Sequence, residues 1–314
     1  MKLEADNLIK DLQRWMDTYM QEIANKNLAG RTITIYTGIL DSFVEYARQY
    51  QDELGLSDVN RMFLNGYLSN MENISNKFGA STKKLHITVL KSFFNYITEN
   101  NDDNADYTKM FKKMVVKPDI KEKPGFNGDE VSRLLKYLEI EKNAPRNRLI
   151  NYRNSLLIKT MLYGGLRAHE LLDLRLKDYA LNAEHEVYVL LVKGKGGKER
   201  YVYVPFSIAA DEVDTLTEAK GRDWPICSTR TGGIINLTNL YQIVTGIYTR
   251  GGIEKKGLHI LRHTMARRHV SAGTNLETIR DLLGHSSISI TAAFYAKTNE
   301  ENKMIAVMKS VGRK

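Results

Sequence analysis

From Glu186 to Val204 the apolar residues alternate, first as V-Y-V-L-L-V and then as Y-V-Y-V-P, around a basic glycine-rich turn, K-G-K-G-G-K-E-R. β-Branched and aromatic residues at period two predict a β-hairpin. The long periodic stretches on either side have helical spacing, which restricts the chain to a mainly α fold with a small β-sheet or hairpin. The turn is no nucleotide cradle, since G-x-x-x-x-G-K-[ST] is absent.

Ahead of the hairpin, residues 4–25 place Leu8, Leu12, Trp15, Tyr19 and Ile23 on one helical face. A second helix is expected from Thr32 to Tyr50, burying Tyr36, Leu40, Phe43 and Ala47. Leu56-Ser57-Asp58 opens a third, with Ser57 as cap and Val59, Phe63, Tyr67 and Met71 inside. Ala80-Ser81-Thr82 starts a fourth, with Leu85, Val89, Phe93 and Ile97 inward and Lys83, Lys84, His86 and Lys91 outward. Four such helices predict an all-α bundle over residues 1–112. Next comes K-M-F-K-K-M-V-V-K-P-D-I-K-E-K-P-G, rich in Lys and broken by Pro118 and Pro124, which reads as an extended basic linker, bounded at 113–126.

A second domain, 127–314, begins at Asn127-Gly-Asp-Glu, a helix start before Val131, Leu134, Leu135 and Leu138. Residues 146–163 form a helix with a broad apolar face that ends at Gly164-Gly165. Arg167 and Glu170 follow, and taken alone they are an i,i+3 ion pair of small weight. Beyond the hairpin, Ile208 to Ala219 is amphipathic, W-P-I-C-S is a short strand or buried extension, and Asn236 or Thr238 caps a helix carrying Leu240, Ile243 and Ile247. The run H-I-L-R-H puts His259 and Arg262 on one helical face, with Met265, Val270 and Ala272 on the buried side and Gly273 at its end. Asn275 or Thr274 caps a further helix from Leu276 to Leu283, Gly284 stops it, and His285 sits on the turn. A last apolar helix is expected from Asn299 to Met308.

Charge narrows the partner. There are 46 Lys and Arg against 37 Asp and Glu, a net +9 that favours a polyanion. One cysteine, Cys227, excludes an internal disulfide framework and a Cys-based zinc site. No apolar run nears the roughly 20 residues of a bilayer span, and M-K-L-E-A-D lacks the apolar core of a signal peptide. A soluble, cytosolic protein is expected.

Arg, two His and a Tyr suit attack of a phenol on a phosphodiester, with cationic groups holding the phosphate oxygens. The ordered motifs H-I-L-R-H, L-G-H and a following Tyr, together with G-G-L-R-A-H-E, resemble the tyrosine recombinase (phage integrase) family, notably its Xer- and Cre-like members. G-G-L-R-A-H-E departs from that family's T-G-L-R-x-x-E by Gly at the Thr position. The resemblance implies an N-terminal four-helix core-binding domain, a mixed α/β catalytic domain and a nucleoid-associated enzyme of site-specific DNA strand exchange. It implies that Arg167, Arg262, His259 and His285 hold the scissile phosphate, with His259 also the general base. Lys195 on the hairpin acts as general acid, and Glu170 orients Arg167 or holds its turn. Lys193 and Lys198 are nearby alternatives to Lys195, as phosphate contacts or solvated groups. On the fourth helix Lys83, Lys84 and Lys91 meet phosphates or form a solvated face, and the linker is a DNA contact or a hinge. No cofactor is implied: Arg and His supply the charge a metal would, and the covalent intermediate makes ATP unnecessary. Double-stranded DNA is the partner, bound as a dimer per site and a homo-tetramer on two sites. The terminal helix docks on a neighbouring protomer or on its own core.

The nucleophile has two positions. The family's Tyr lies nine residues after the L-G-H histidine, and here the ninth residue after His285 is Phe294 and the tenth Tyr295. Either S-I-S-I-T-A holds one extra residue and Tyr295 attacks, which the following A-K-T favours, or Phe294 occupies the nucleophile's place and the chain binds DNA without cutting it. A type IB topoisomerase, which uses nearly the same residues to relax DNA, is the other reading.

Overall fold

The computed structural model describes residues 7–26, 28–76, 78–112, 114–116, 125–194 and 197–285. Two compact units divide between Lys121 and Glu122.

In the first unit, α1 (Leu8–Asn25), α2 (Gly30–Ala47), α3 (Arg61–Ile74) and α4 (Ala80–Asn100) enclose an aromatic core. Phe43 meets Phe63, Tyr67 and Phe94 edge-on, with centroids 5.8, 5.2 and 5.7 Å away. Such pairs add to the area they bury. Ser57 is not the cap of α3. Leu56–Asp58 is a separate 3-10 turn, and the cap is Asn60, whose Oδ1 accepts from Met62 N and Phe63 N. Likewise α2 stops at Ala47 and continues as a 3-10 turn to Tyr50.

On α4, Val89, Phe93 and Ile97 face inward as expected, but Leu85 and His86 are exchanged. Leu85 is 40% exposed, while His86 is buried with Val89, Leu90, Phe93 and Ile97. At about 100° per residue it is His86 that lines up with Leu90, Phe93 and Ile97. Its polar ring is tolerated there because Nδ1 pairs with Tyr67 Oη at 2.8 Å, with Phe78 packed edge-on. The end of the expected bundle is packed as well: Tyr107, Met110 and Phe111 are buried around the 3-10 turn Thr108–Phe111.

Burial pushes the His86 pKa below its ordinary 6.5, so the ring stands neutral, hydrogen-bonded to Tyr67 Oη. Because the folded pKa is the lower one, unfolded chains take up a proton that the fold refuses. The contribution is therefore complete above pH 6.5 and lost as pH falls through and below it. Urea melts of a Trp224→Phe chain, reporting through Trp15, should show this unit weakening from pH 7.5 to 5.5. His86→Gln, which has no proton to gain, should flatten that dependence; an unchanged slope would discount His86.

The second unit is built on α6 (Arg148–Gly164), whose Leu156, Leu157, Ile158 and Leu162 are fully buried. Against it pack α5 (Gly128–Lys142) and, after α7 (Ala168–Leu172) and the sheet, α8 (Phe206–Lys220). Asn127 caps α5 in a reciprocal box with Glu130. Gly125 and Phe126 belong to this core and not to a linker: Phe126 N–H donates to Thr264 Oγ1, and its ring meets Tyr248 edge-on. The hairpin strands β2 (Val187–Lys193) and β3 (Glu199–Pro205) are joined by a strand absent from the sequence reading, β1 (Ala180–Asn182), giving an antiparallel β1-β2-β3 sheet. Three residues are too few to show alternation. Val202 and Val204 face inward, Tyr201 and Tyr203 outward.

Last come α9 (Leu237–Arg250), capped by Asn236, then α10 (His259–Ser271) and α11 (Leu276–Leu283), capped by Asn275. Met265, Ala266, Ile279 and Leu283 pack these two helices together. Ala272 is the exposed C-cap of α10 and not part of its buried side, since the helix has ended there. Ile226 and Cys227 are buried in the W-P-I-C-S stretch, and burial pushes the thiol up to about 12, which makes it inert. Among the described residues no helix is long and apolar enough to cross a membrane. The expected helix from Asn299 to Met308 lies outside the described residues.

Candidate active site

The last turn of α11 gathers three guanidinium groups from three distant segments. A helix C-terminus leaves carbonyls unpaired and carries partial negative charge, so cations are favoured there. Arg200 Nε donates to Leu282 O at 3.2 Å, Arg262 Nη2 to Leu283 O, and Arg167 Nη2 to Gly284 O at 2.6 Å. Each takes one of three successive carbonyls.

Two glycines let these segments meet. Gly165 ends α6 with φ +64, and an added Cβ would stand 3.1 Å from Met265 Sδ, strained in φ as well as in space. Arg262 Nη1 donates to the carbonyl of the same Gly165, locking α10 to the α6 terminus. Gly284 ends α11 with φ +60, where a Cβ would meet Arg200 Cδ at 2.8 Å. His285 follows, half-buried, its N–H donating to Arg280 O at 3.0 Å.

Glu170 ties the arrangement together. It is 4% exposed, and its carboxylate accepts from Arg167 N at 2.7 Å and Arg167 Nη1 at 2.9 Å. From Arg200 it accepts a fork, Nη1 at 2.5 Å and Nη2 at 2.8 Å. Burial by itself raises its pKa, but the bonds from Arg200 and Arg167 prevail and hold the carboxyl below the usual range.

Of the residues singled out from sequence, Arg167, Glu170, Arg262 and His285 are therefore neighbours at one turn. His259 is exposed at the first position of α10, one helical turn before the buried Arg262, with its ring 6.4 Å from that of His263. The hairpin approaches as well: a Cβ on Gly194 would lie 3.7 Å from Glu170 Oε1 and 3.9 Å from Arg167 Nη1. Lys195, the next residue, lies outside the described residues, as do Phe294 and Tyr295. Lys193 and Lys198 are exposed at the hairpin end, with Lys193 Nζ 3.6 Å from Glu199. In the first unit Lys84 and Lys91 are exposed on α4, and Lys83 pairs with Glu72 at 2.8 Å.

Arg200 is the site residue that sequence reading missed. Its signal was available: on β3 it stands at an inward position, in phase with Val202 and Val204, where a charged side chain needs a buried partner.

Residues 125–302, more than half of the chain, match the phage integrase family. The chain belongs to this family, the tyrosine recombinases. It is an enzyme of site-specific DNA cleavage and rejoining. A tyrosine recombinase of Pseudothermotoga lettingae is 25% identical over 92% of this chain and 94% of its own. Tyrosine recombinase XerH of Helicobacter pylori is 29% identical over 68% of this chain and 61% of its own. The recombinase fold is shared with the crystal structure of XerH bound to palindromic difH substrate in a post-cleavage complex, at TM-score 0.74, 23% identity and coverage of 93% and 84%.

Proposed function

We propose that this recombinase holds the scissile phosphate between Arg167, Arg262, His259 and His285, and cuts DNA through a 3′-phosphotyrosine. The meeting of Arg167, Arg262 and His285 at the end of α11 carries the reading, because it concentrates donors for an anion in one place. Guanidinium forks match phosphate oxygens in geometry and stay charged at every relevant pH. The Tyr295 phenol attacks phosphorus and gives its proton to His259, the P–O5′ bond breaks, and Lys195 protonates the departing 5′ oxygen. The new ester conserves the bond that rejoining needs, so no nucleotide is spent. Gly194 lies against Arg167, which supports Lys195 as the hairpin's contribution.

The substrate in this proposal is a double-stranded recombination site, bound by a dimer, with four protomers acting on two sites. Lambda integrase has been crystallised as a tetramer bound to a Holliday junction, and its fold matches at TM-score 0.64. Lys83, Lys84, Lys91, Lys193 and Lys198 are assigned to phosphates, where they position the duplex without reading its sequence. The biological role is dimer resolution of the Xer type, or integration and excision of a mobile element, within the nucleoid.

A half-site duplex nicked just beyond the scissile phosphate tests the reading. Its short 5′-hydroxyl fragment diffuses away, so the intermediate cannot reverse. The full-length chain should migrate in a denaturing gel as a covalent adduct on the 3′ end. Cleavage that leaves no protein on the DNA, or leaves it on the 5′ end, would refute the proposal.

A further inference from the structure

We infer that Arg200 is a positioning residue for DNA cleavage, acting through Glu170 on the Arg167 guanidinium. This deepens the proposed reading of the site and rests on it. Arg200 has 11% of its side chain exposed, so it is placed to act on protein groups and not on the duplex.

Glu170 is shared between two arginines of unequal exposure. Arg167 is the more exposed partner, with 32% of its side chain open to solvent. Arg200 is held at both ends: its fork spans both Glu170 oxygens, and its Nε is fixed on the Leu282 carbonyl. It therefore fixes the plane of the Glu170 carboxylate. That plane in turn sets both bonds from Arg167, one to its backbone N–H and one to Nη1. With the backbone and one nitrogen fixed, Nη2 of Arg167 is directed to the Gly284 carbonyl at the end of α11. Without Arg200, Glu170 can turn, and Arg167 can pull both carboxylate oxygens to itself as an ordinary bidentate pair. The guanidinium would then withdraw from the phosphate position while its charge stayed in the site. A bidentate fork is required for this, and a lysine supplies only a point charge.

Single-turnover cleavage of the nicked half-site by the full chain separates this role from a purely structural one. At 25 °C, Arg200→Lys and Arg200→Ala should each cleave about 100-fold more slowly, the loss expected when a reacting-group partner is misplaced by about 1 Å. DNA affinity should stay within about twofold, since phosphate contacts elsewhere carry it. Combining Arg200→Ala with Glu170→Ala should slow cleavage no further than the worse single change, because the two act as one unit.

A 5′-thio leaving group supplies the discriminating measurement, for a thiolate departs without a proton. Lys195→Ala should recover on that substrate, whereas Arg200→Lys should not. Recovery of Arg200→Lys would place its effect on the hairpin's general acid and overturn the route through Arg167. Wild-type rates in a folded Arg200→Lys chain, with only its melting temperature lowered, would make Arg200 structural and overturn the inference alone. Should Arg200→Ala fail to fold, Arg200→Lys decides the matter by the same rates. A chain that forms no adduct either as written or as Phe294→Tyr would instead remove the reading of the site and this inference with it.

Discussion

Arg167→Ala is expected to slow single-turnover cleavage by about 10²- to 10³-fold, the cost of deleting one donor to a developing oxyanion in a shielded site. The variant should remain folded. Arg167 is partly exposed, and Glu170 keeps the Arg200 fork when its other partner is gone. DNA affinity should change by less than about threefold, because in the proposed reading phosphate contacts away from the scissile position supply most of it. Arg262→Ala should lose cleavage to a similar extent and also lose stability. Arg262 is 5% exposed and satisfies the carbonyls of Gly165 and Leu283, so its removal orphans two acceptors at about 1–3 kcal/mol each. The contrast between the two is the informative part. Thermal melts should separate them even where cleavage does not, and wild-type cleavage by Arg167→Ala would take that residue out of the site.

Tyr295→Phe is expected to erase the covalent adduct altogether while leaving binding intact, since a single hydroxyl is removed. Peptide mapping of the wild-type adduct should place the nucleotide on Tyr295. The neighbouring position cannot substitute for it. Adjacent residues in a helix point about 100° apart, and those in a strand point to opposite faces, so only one of two successive side chains can align with phosphorus. If Phe294 instead occupies the nucleophile's place, the chain as written yields no adduct and Phe294→Tyr creates one. That pair of results would reassign the nucleophile without disturbing the arginines, because Arg167, Arg200 and Arg262 are fixed by contacts made before residue 286.

Periodicity and capping residues were enough to locate most of the elements. Asn127, Asn236 and Asn275 cap the helices they precede, and Gly165 and Gly284 end theirs in the left-handed conformation. These are local effects, decided within a turn of chain, and a local reading finds them. The hairpin was legible for the same reason, as was the pairing of Arg167 with Glu170 three residues on. The family itself was legible because its motifs are ordered sets of chemically necessary residues.

Tertiary packing decided the rest. Leu85 and His86 exchange faces on α4 because Tyr67, 19 residues away, offers the imidazole a hydrogen bond inside the core. Strand β1 exists because β2 provides its ladder, not because three residues prefer to be extended. Phe126 leaves the linker for the catalytic core because Tyr248 and Thr264 receive it. Arg200 is the sharpest instance. Sequence places it two residues beyond a lysine-rich turn, where it reads as one more basic residue. Only the fold brings it, 30 residues from Glu170 and 82 from Leu282, to a buried carboxylate and a helix-end carbonyl at once. Charge and propensity belong to a residue, whereas the partner that gives a buried charge its role is set by chain crossings that no local pattern records.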